Sequence, residues 1–449
     1  MGKKQNENIA ARAEKSSFAK SRSMRETTRR EFCVDVVATS VVLGCASAVQ
    51  AANCGNDLGE INFPEMPVIN KSEIMQTLLN IENKTRSNLF AWNGQFSPQF
   101  IEVLLKHYAK EGDFVVDPFL GAGTVLGECA RLGLRSYGIE LNASAYLMAK
   151  TYELVNIELD KRKELIDDVD SYINTISLSG DDKVLDELVL AVKSAHDERK
   201  RTLLSTLVVL LDVYNNDVTC ALVITKWNGL KRIVNQLPYS RAKITAEMGD
   251  ARRLSLSDNS VDLIITSPPY INVFNYHQKY RRSVEMLGYD VLKIARSEFG
   301  SNRKNRGNRF LTVIQYCIDM ALAMHEAVRV CRKNARLIYV VGRESKVLGV
   351  SFCNSELIFW IATKILGLKC VLRQERVFKN RFGQMIKEDI LHFVKVDDES
   401  RDLNEVENAA REIAVAVLRQ KRTANSSNKN VVYIDDALQK SSTVTKSEE

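Results

Sequence analysis

Several signatures are missing from this chain, and each absence narrows what it can be. The nine cysteines include no C-x-x-C pair and no histidine partner at metal-ligand spacing, which argues against structural zinc and for scattered, reduced thiols. Outside residues 33–49, no run approaches the ~18 uninterrupted apolar residues of a membrane span. No internal repeat is present. What remains is a chain of 449 residues, 45% hydrophobic and 27% charged, the balance of an ordinary globular protein. That length suits one large α/β domain with insertions, or two domains.

The net charge of +7 is unevenly placed. Residues 1–30 hold nine Lys/Arg against three Glu, and residues 276–309 hold nine against three acids. Such basic stretches suit a polyanionic partner, or form a solvated surface.

From residue 96 onward the pattern is regular. Ser97 and Pro98 form an N-cap and first-turn pair, Ile101, Leu104, Leu105 and Tyr108 recur at helical spacing, and Gly112 closes the helix. Apolar strands then alternate with helices: DFVVDPF (113–119), RSYGIEL (135–141), KITAEMG (243–249), VDLIITS (261–267) and ARLIYVVG (335–342). That alternation predicts a parallel sheet. The last two strands, at 369–378 and 388–396, are separated by a short link that permits only antiparallel pairing. The expected fold is therefore a mostly parallel seven-stranded α/β sheet with one antiparallel strand.

Four segments follow from this reading. Residues 1–75 read as a basic N-terminal arm and apolar segment. Residues 76–157 and 241–396 form the α/β domain, and residues 158–240 a helical insertion around LLSTLVVLLDVY (203–214). Residues 397–449, polar and rich in Ser, Asn and charge, read as a disordered tail with at most one helix near 406–422.

Chemistry gathers where the strands end. DPFLGAGT (117–124) follows the first strand, and Gly121 and Gly123 allow tight turning and close approach of a ligand to the backbone. The second strand ends in GIELN, placing Glu140 where an acid accepts bonds from two ribose hydroxyls. The third ends in GDARRL, placing Asp250 beside the same crevice. Together these point to an adenosine-bearing ligand. A dinucleotide would want G-x-G-x-x-G, but Gly127 falls one position late, and no lysine follows the loop as a nucleotide phosphate would require. Asp117 suits a cationic or amino group, so S-adenosylmethionine fits better.

The fourth strand delivers TSPPY (266–270) to that crevice. A nucleobase amine is a poor nucleophile because its lone pair is conjugated with the ring. Two fixed acceptors, Ser267 Oγ and a carbonyl of the 267–268 segment, can hold its hydrogens and turn the lone pair toward a methyl donor. The prolines stiffen that carbonyl, and Tyr270 can stack on the base.

DPFLGAGT, GIELN, GDARRL and TSPPY, in this order, resemble the S-adenosylmethionine-dependent DNA amino-methyltransferases of the N4-cytosine type. The resemblance covers residues 83–396 without the insertion, and implies a Rossmann-like class I methyltransferase fold. It implies cofactor contacts from Phe96 and Ser97 in WNGQFSPQF, from Asp117, Pro118, Phe119, Gly121, Gly123 and Thr124, and from Glu140 and Asp250. Catalysis is implied at Ser267, Pro268, Pro269 and Tyr270. None of the seven prolines precedes a cysteine, the nucleophile arrangement used for methylating the ring carbon of cytosine. Serine at 267 favours cytosine over adenine; an RNA base amine and a non-catalytic binding module are the other readings.

Duplex DNA is the expected partner, with a cognate restriction endonuclease in a restriction–modification setting and no metal or membrane. No target-recognition segment is identifiable. Either the insertion or the basic stretch 276–310 could serve, the latter offering Arg303, Lys304, Arg306 and Arg309 to phosphates. His277 is expected to pack or hydrogen-bond rather than carry protons, and Cys129 to fill core. TTRREF (27–32) before an apolar stretch resembles a twin-arginine export signal, yet Asp35 interrupts it and export would remove the protein from cofactor and substrate. The expected location is cytoplasmic or nucleoid-associated.

Overall fold

Strands with no polar alternation, such as LIIT and LIYVV, need apolar cover on both faces, and the fold supplies it. A computed structural model describes residues 63–448 apart from 272–275, 301–304, 306, 380–382, 398–400 and 426–428. Residues 1–62 of the N-terminal reading, with the export-like motif, lie outside the described residues. So do Arg303, Lys304 and Arg306.

The strands are β1 (Phe114–Asp117), β2 (Arg135–Glu140), β3 (Ile244–Met248), β4 (Val261–Thr266), β5 (Cys331–Gly342), β6 (Glu344–Val347), β7 (Val350–Cys353), β8 (Lys369–Lys379) and β9 (Met385–Val394). Seven of them form one sheet in the order β3-β2-β1-β4-β5-β9-β8, parallel except that β9 runs against both neighbours. This is the sheet expected above, a Rossmann-like arrangement with its single reversed strand next to the edge. β6 and β7 make a separate hairpin that the sequence reading did not anticipate. Its turn residues, Leu348 and Gly349, both take positive φ, a role leucine rarely fills.

Alternate residues of each strand feed two cores. Val115, Leu263, Ile265, Ile338 and Val340 face one side, with the helices Pro98–Tyr108 and Thr124–Leu132 and the whole insertion. Val116, Ile264, Leu337, Tyr339 and Val341 face the other, against the helix Leu311–Val330 and the C-terminal region.

The insertion is four helices, Leu159–Ile176, Val184–Ser194, Glu198–Leu211 and Cys220–Gln236. Its apolar segment is buried as expected, but in continuity with the sheet's own core rather than as the centre of a separate subdomain. The buried Arg162 clamps its two ends by donating to the carbonyls of Leu237 at 2.6 Å, Pro238 at 3.1 Å and Ile157 at 3.2 Å.

The tail requires correction. Residues 403–448 contain the helices Leu403–Ala424 and Val431–Gln439, packed on the second core. Val406, Ala410, Ile413, Ala414, Val417 and Leu418 are buried along one stripe at helical spacing, and the polar residues that suggested disorder are its outer face. Residues 63–67 are also packed rather than appended: Phe63 stacks on Trp360 at 4.1 Å, and the Trp360 indole donates to the Pro64 carbonyl. Among the described residues, no helix is long and apolar enough to cross a membrane, and no cluster of His, Cys, Asp and Glu could hold a metal.

Candidate active site

In the order β3-β2-β1-β4 the carboxyl ends of four parallel strands lie side by side, the edge at which open α/β sheets take ligands. β1 ends on Asp117, β2 on Glu140, β3 runs on to Asp250, and β4 to Ser267. All four line one open cavity enclosing, with its mouth, about 910 Å³. Phe96, Pro118, Phe119, Gly121, Thr124 and Pro269 line it too.

Its electrostatics are one-sided. Asp117, Glu140, Asp250 and Glu298 contribute four carboxyl groups, and among the described lining residues there is no Lys, Arg or His. Such a wall opposes phosphates and favours a ligand carrying positive charge.

Each acid is held differently. Glu140 accepts the Gly121 and Asn142 N–H groups at 2.7 Å each, one on either oxygen, which fixes the carboxylate plane while each oxygen keeps a lone pair. Burial pushes its pKa up to about 7 against the pull of those two bonds. Asp117 is fully buried, and both of its hydrogen bonds, from Thr266 Oγ1 at 2.6 Å and from the Phe119 N–H at 3.1 Å, fall on Oδ1. Burial raises it to about 7 as well. Asp250 is gripped by Arg252, whose Nε donates to Oδ1 at 3.0 Å and whose Nη2 donates to Oδ2 at 2.6 Å.

The prolines stand directly after β4, as expected. Ser267 and Pro269 line the cavity, whereas Pro268 is buried behind it. Tyr270 is not an open stacking platform on both faces. Its ring lies so close to Gly342 that a Cβ there would sit 2.8 Å from Cε2, and its hydroxyl is 3.2 Å from Ser267 Oγ. Burial pushes that phenol well above its usual range, so it stays neutral.

Gly123, at φ 90°, is not among the cavity-lining residues, and a Cβ on it would meet the Tyr152 ring at 2.8 Å. Its bareness lets the Tyr152 ring and the Ala149 backbone pack against it. Ser97 precedes the helix Pro98–Tyr108 but makes no side-chain capping bond, and its buried hydroxyl has no partner.

Sequence reasoning missed several lining residues: Trp92, Tyr276, Glu298 and Phe299. Trp92 stacks with Tyr276 at 6.3 Å and 17°, and Phe299 meets Phe119 edge-on at 5.6 Å. Glu298 is oriented by His277, whose N–H and Nδ1 both lie 2.7 Å from its oxygens. That is the hydrogen-bonding role expected of His277. Trp92 carried a usable signal, since it opens the WNGQFSPQF motif; Glu298 and Phe299 carried none. Of the basic candidates, Arg309 is half-buried, and Asn308 beside it donates to the Tyr433 carbonyl and to Asp436.

Comparison with known proteins adds to this geometry. Residues 49–151 match a family model described as DNA methylase. The type II methyltransferase M.MjaII of Methanocaldococcus jannaschii is 31% identical over 114 residues, 25% of this chain and 21% of that relative, so the similarity spans about a fifth of its length. Among solved structures, an S-adenosylmethionine-dependent methyltransferase from Methanosarcina mazei aligns at 12% identity over 65% of this chain and 97% of that one, with a TM-score of 0.32. A TehB-like S-adenosylmethionine-dependent methyltransferase from Corynebacterium glutamicum aligns at 10% identity over 66% and 86%, with a TM-score of 0.26. The fold is defined by the chain's own strand order rather than by these likenesses. The family match includes Phe96, Asp117, Gly121 and Glu140 but ends before Ser267.

Proposed function

We propose that the chain is a DNA methyltransferase that carries a methyl group from S-adenosylmethionine to the exocyclic N4 amine of a cytosine flipped out of duplex DNA. One observation carries this reading: a crevice with four carboxyl groups and, among the described residues, no basic lining residue, ending at Ser267. A sulfonium with an amino acid tail suits that wall, and a nucleotide phosphate does not. The match to a DNA methylase family model and to a type II methyltransferase supports DNA as the substrate and a restriction–modification or marking role. A cognate endonuclease would then be a partner, and the cytoplasm or nucleoid the place of action.

S-adenosylmethionine, when bound, supplies a methyl group activated by positive sulfur. The chain's residues do the rest. Glu140, planar and preset by two backbone N–H groups, accepts the ribose hydroxyls. Asp117 Oδ2 and Glu298 offer negative charge to the ammonium or sulfonium. Phe119 and Phe299 close on the adenine as an edge-and-face pair. Ser267 Oγ lies 3.2 Å from the Tyr270 hydroxyl, a contact in which either oxygen can donate, and its lone pairs are the acceptor for a hydrogen of the target amine. A carbonyl of the 267–268 segment, stiffened by Pro268 and Pro269, takes the other. The base stacks on the Tyr270 face turned away from Gly342. After transfer the nitrogen is strongly acidic and releases its proton without a dedicated base. Arg303, Lys304, Arg306 and Arg309 contact phosphates and hold the duplex while the base is out, at a cost of a few kcal/mol.

Incubation with duplex DNA and methyl-labelled cofactor, followed by digestion to nucleosides, tests the reading. Label is expected in N4-methylcytosine. Label confined to N6-methyladenine overturns the base assignment, and label only in added RNA overturns the substrate class. Ser267→Ala should lower turnover roughly tenfold to a hundredfold with cofactor affinity unchanged, because one of two amine acceptors is lost.

A further inference from the structure

Beyond the helix Val431–Gln439 the chain turns back into the protein. Arg411 Nη1 donates to the carbonyls of Ser441 at 2.7 Å and Val444 at 2.5 Å, and Gln315 Nε2 donates to that of Thr445 at 3.3 Å. Ser447 is 2% exposed. Its N–H and its hydroxyl donate to the two oxygens of the buried Asp319, at 2.8 and 2.6 Å.

The hub of this arrangement is Arg252, itself buried. Its guanidinium has five N–H donors, and each meets an acceptor. Nε and Nη2 chelate Asp250; Nη1 reaches Asp319 at 2.9 Å and the Ser447 carbonyl at 2.8 Å; Nη2 also reaches the Glu448 carbonyl at 2.7 Å. The same guanidinium lies 5.1 Å from the ring centre of Phe299, across the crevice wall. Two of the five acceptors thus belong to residues 447–448, nearly two hundred positions from Arg252, and two to Asp250, which lines the crevice.

A buried guanidinium stays in place only while its donors are matched, because each unmatched charged donor is costly away from water. Taking the carbonyls of residues 447 and 448 away would leave two donors to find new acceptors, and the carboxylate of Asp250 is what they would pull on. We propose that residues 441–448 are a strap that fixes Asp250 in its ligand-binding orientation through Arg252, so that seating of the strap and filling of the crevice reinforce each other. Arg252 and Asp319 are positioning residues in this scheme. The proposal rests on the reading of the crevice as the S-adenosylmethionine pocket.

Reciprocity gives two measurements. In the full-length chain, saturation with S-adenosylhomocysteine should slow hydrogen exchange of the backbone amides in residues 444–448 by about tenfold. A chain ending at Thr443 should bind the same ligand about tenfold more weakly by calorimetry. Unchanged exchange at saturation, or equal affinity without the strap, overturns the proposal. Since shortening can also lower stability, Ser447→Ala in the full chain is the second variant. It removes only the hydroxyl on Asp319, and should raise the KM for cofactor while leaving kcat at saturation intact. A merely structural role would lower the active fraction, and so kcat, and leave KM alone; that result also overturns it. A full-length chain that binds no S-adenosylhomocysteine sinks the pocket reading instead.

Discussion

The insertion on one face of the sheet and the C-terminal region on the other are each fastened by one buried arginine, and the two arginines differ in what they hold. Arg162 donates to main-chain carbonyls at both ends of the insertion, its Nε is buried without a partner, and burial lowers its pKa. Arg252 uses every donor, and its acceptors include two carboxylates, one of them in the crevice wall. Carbonyls in a closed fold cannot pass a change on to a ligand, whereas a carboxylate lining a pocket can. The same side chain therefore serves closure in one place and coupling in the other.

Arg252→Ala breaks the comparison hardest. It leaves Asp250 and Asp319 without their cation, a loss of roughly 3–5 kcal/mol by urea unfolding, and affinity for S-adenosylhomocysteine should fall with it. Lost stability with intact affinity would make Arg252 a second Arg162. Arg162→Met is the control. The carbonyls of Leu237, Ile157 and the half-buried Pro238 lose their donor, at a cost of about 2–3 kcal/mol, while the folded fraction binds ligand as before. A weakened affinity there would show that the insertion also reaches the crevice.

Glu140→Gln sharpens the contrast between stability and binding. In the folded chain Glu140 keeps its proton up to about 7, above the ~4.3 of an unfolded glutamate. The stability it contributes is full below the unfolded value and is lost as pH rises through about 7, because ionisation is disfavoured inside. Cationic ligand acts in the other direction, favouring the ionised form. Ligand-free protein should thus melt higher as pH falls from 8 toward 6, while cofactor affinity declines. The glutamine variant should weaken the first trend, leaving the share that Asp117 contributes, and bind roughly tenfold more weakly, the worth of one charge-assisted bond. Calorimetry in buffers of different ionisation heat reads the proton release directly.

How much of this was legible without a structure follows from the range of each interaction. All seven strands of the main sheet were readable, the central ones because strands buried on both faces are near-continuous apolar runs. Asp117, Glu140, Asp250 and Ser267 were readable too, since each follows its own strand and the strand order brings the ends together. Glu298 and Phe299 reach the crevice from a connecting segment with no pattern of its own. The helix Leu403–Ala424 was legible near 406–422, but its packing was obscured because a helix with one narrow apolar stripe is polar on average; the nine-residue helix Val431–Gln439 was not anticipated. The pairing of Arg252 with residues 447 and 448 spans 195 and 196 positions and leaves no local trace.

The smallest expected effect discriminates how the strap is held. Glu448 makes two kinds of contact: its carbonyl accepts from buried Arg252, while its carboxylate lies 2.7 Å from Arg296 Nε with both side chains more than half exposed, at 58% and 55%. Water screens the second contact and leaves the first untouched, so the two should differ severalfold in energy. Glu448→Gln removes the charge and keeps the carbonyl. It should change stability by less than about 0.5 kcal/mol and cofactor affinity by less than twofold, with any difference vanishing at high salt. A larger, salt-dependent loss would move the grip from the buried main chain to the surface ion pair, and Arg252 would then be a bystander to the strap rather than its anchor.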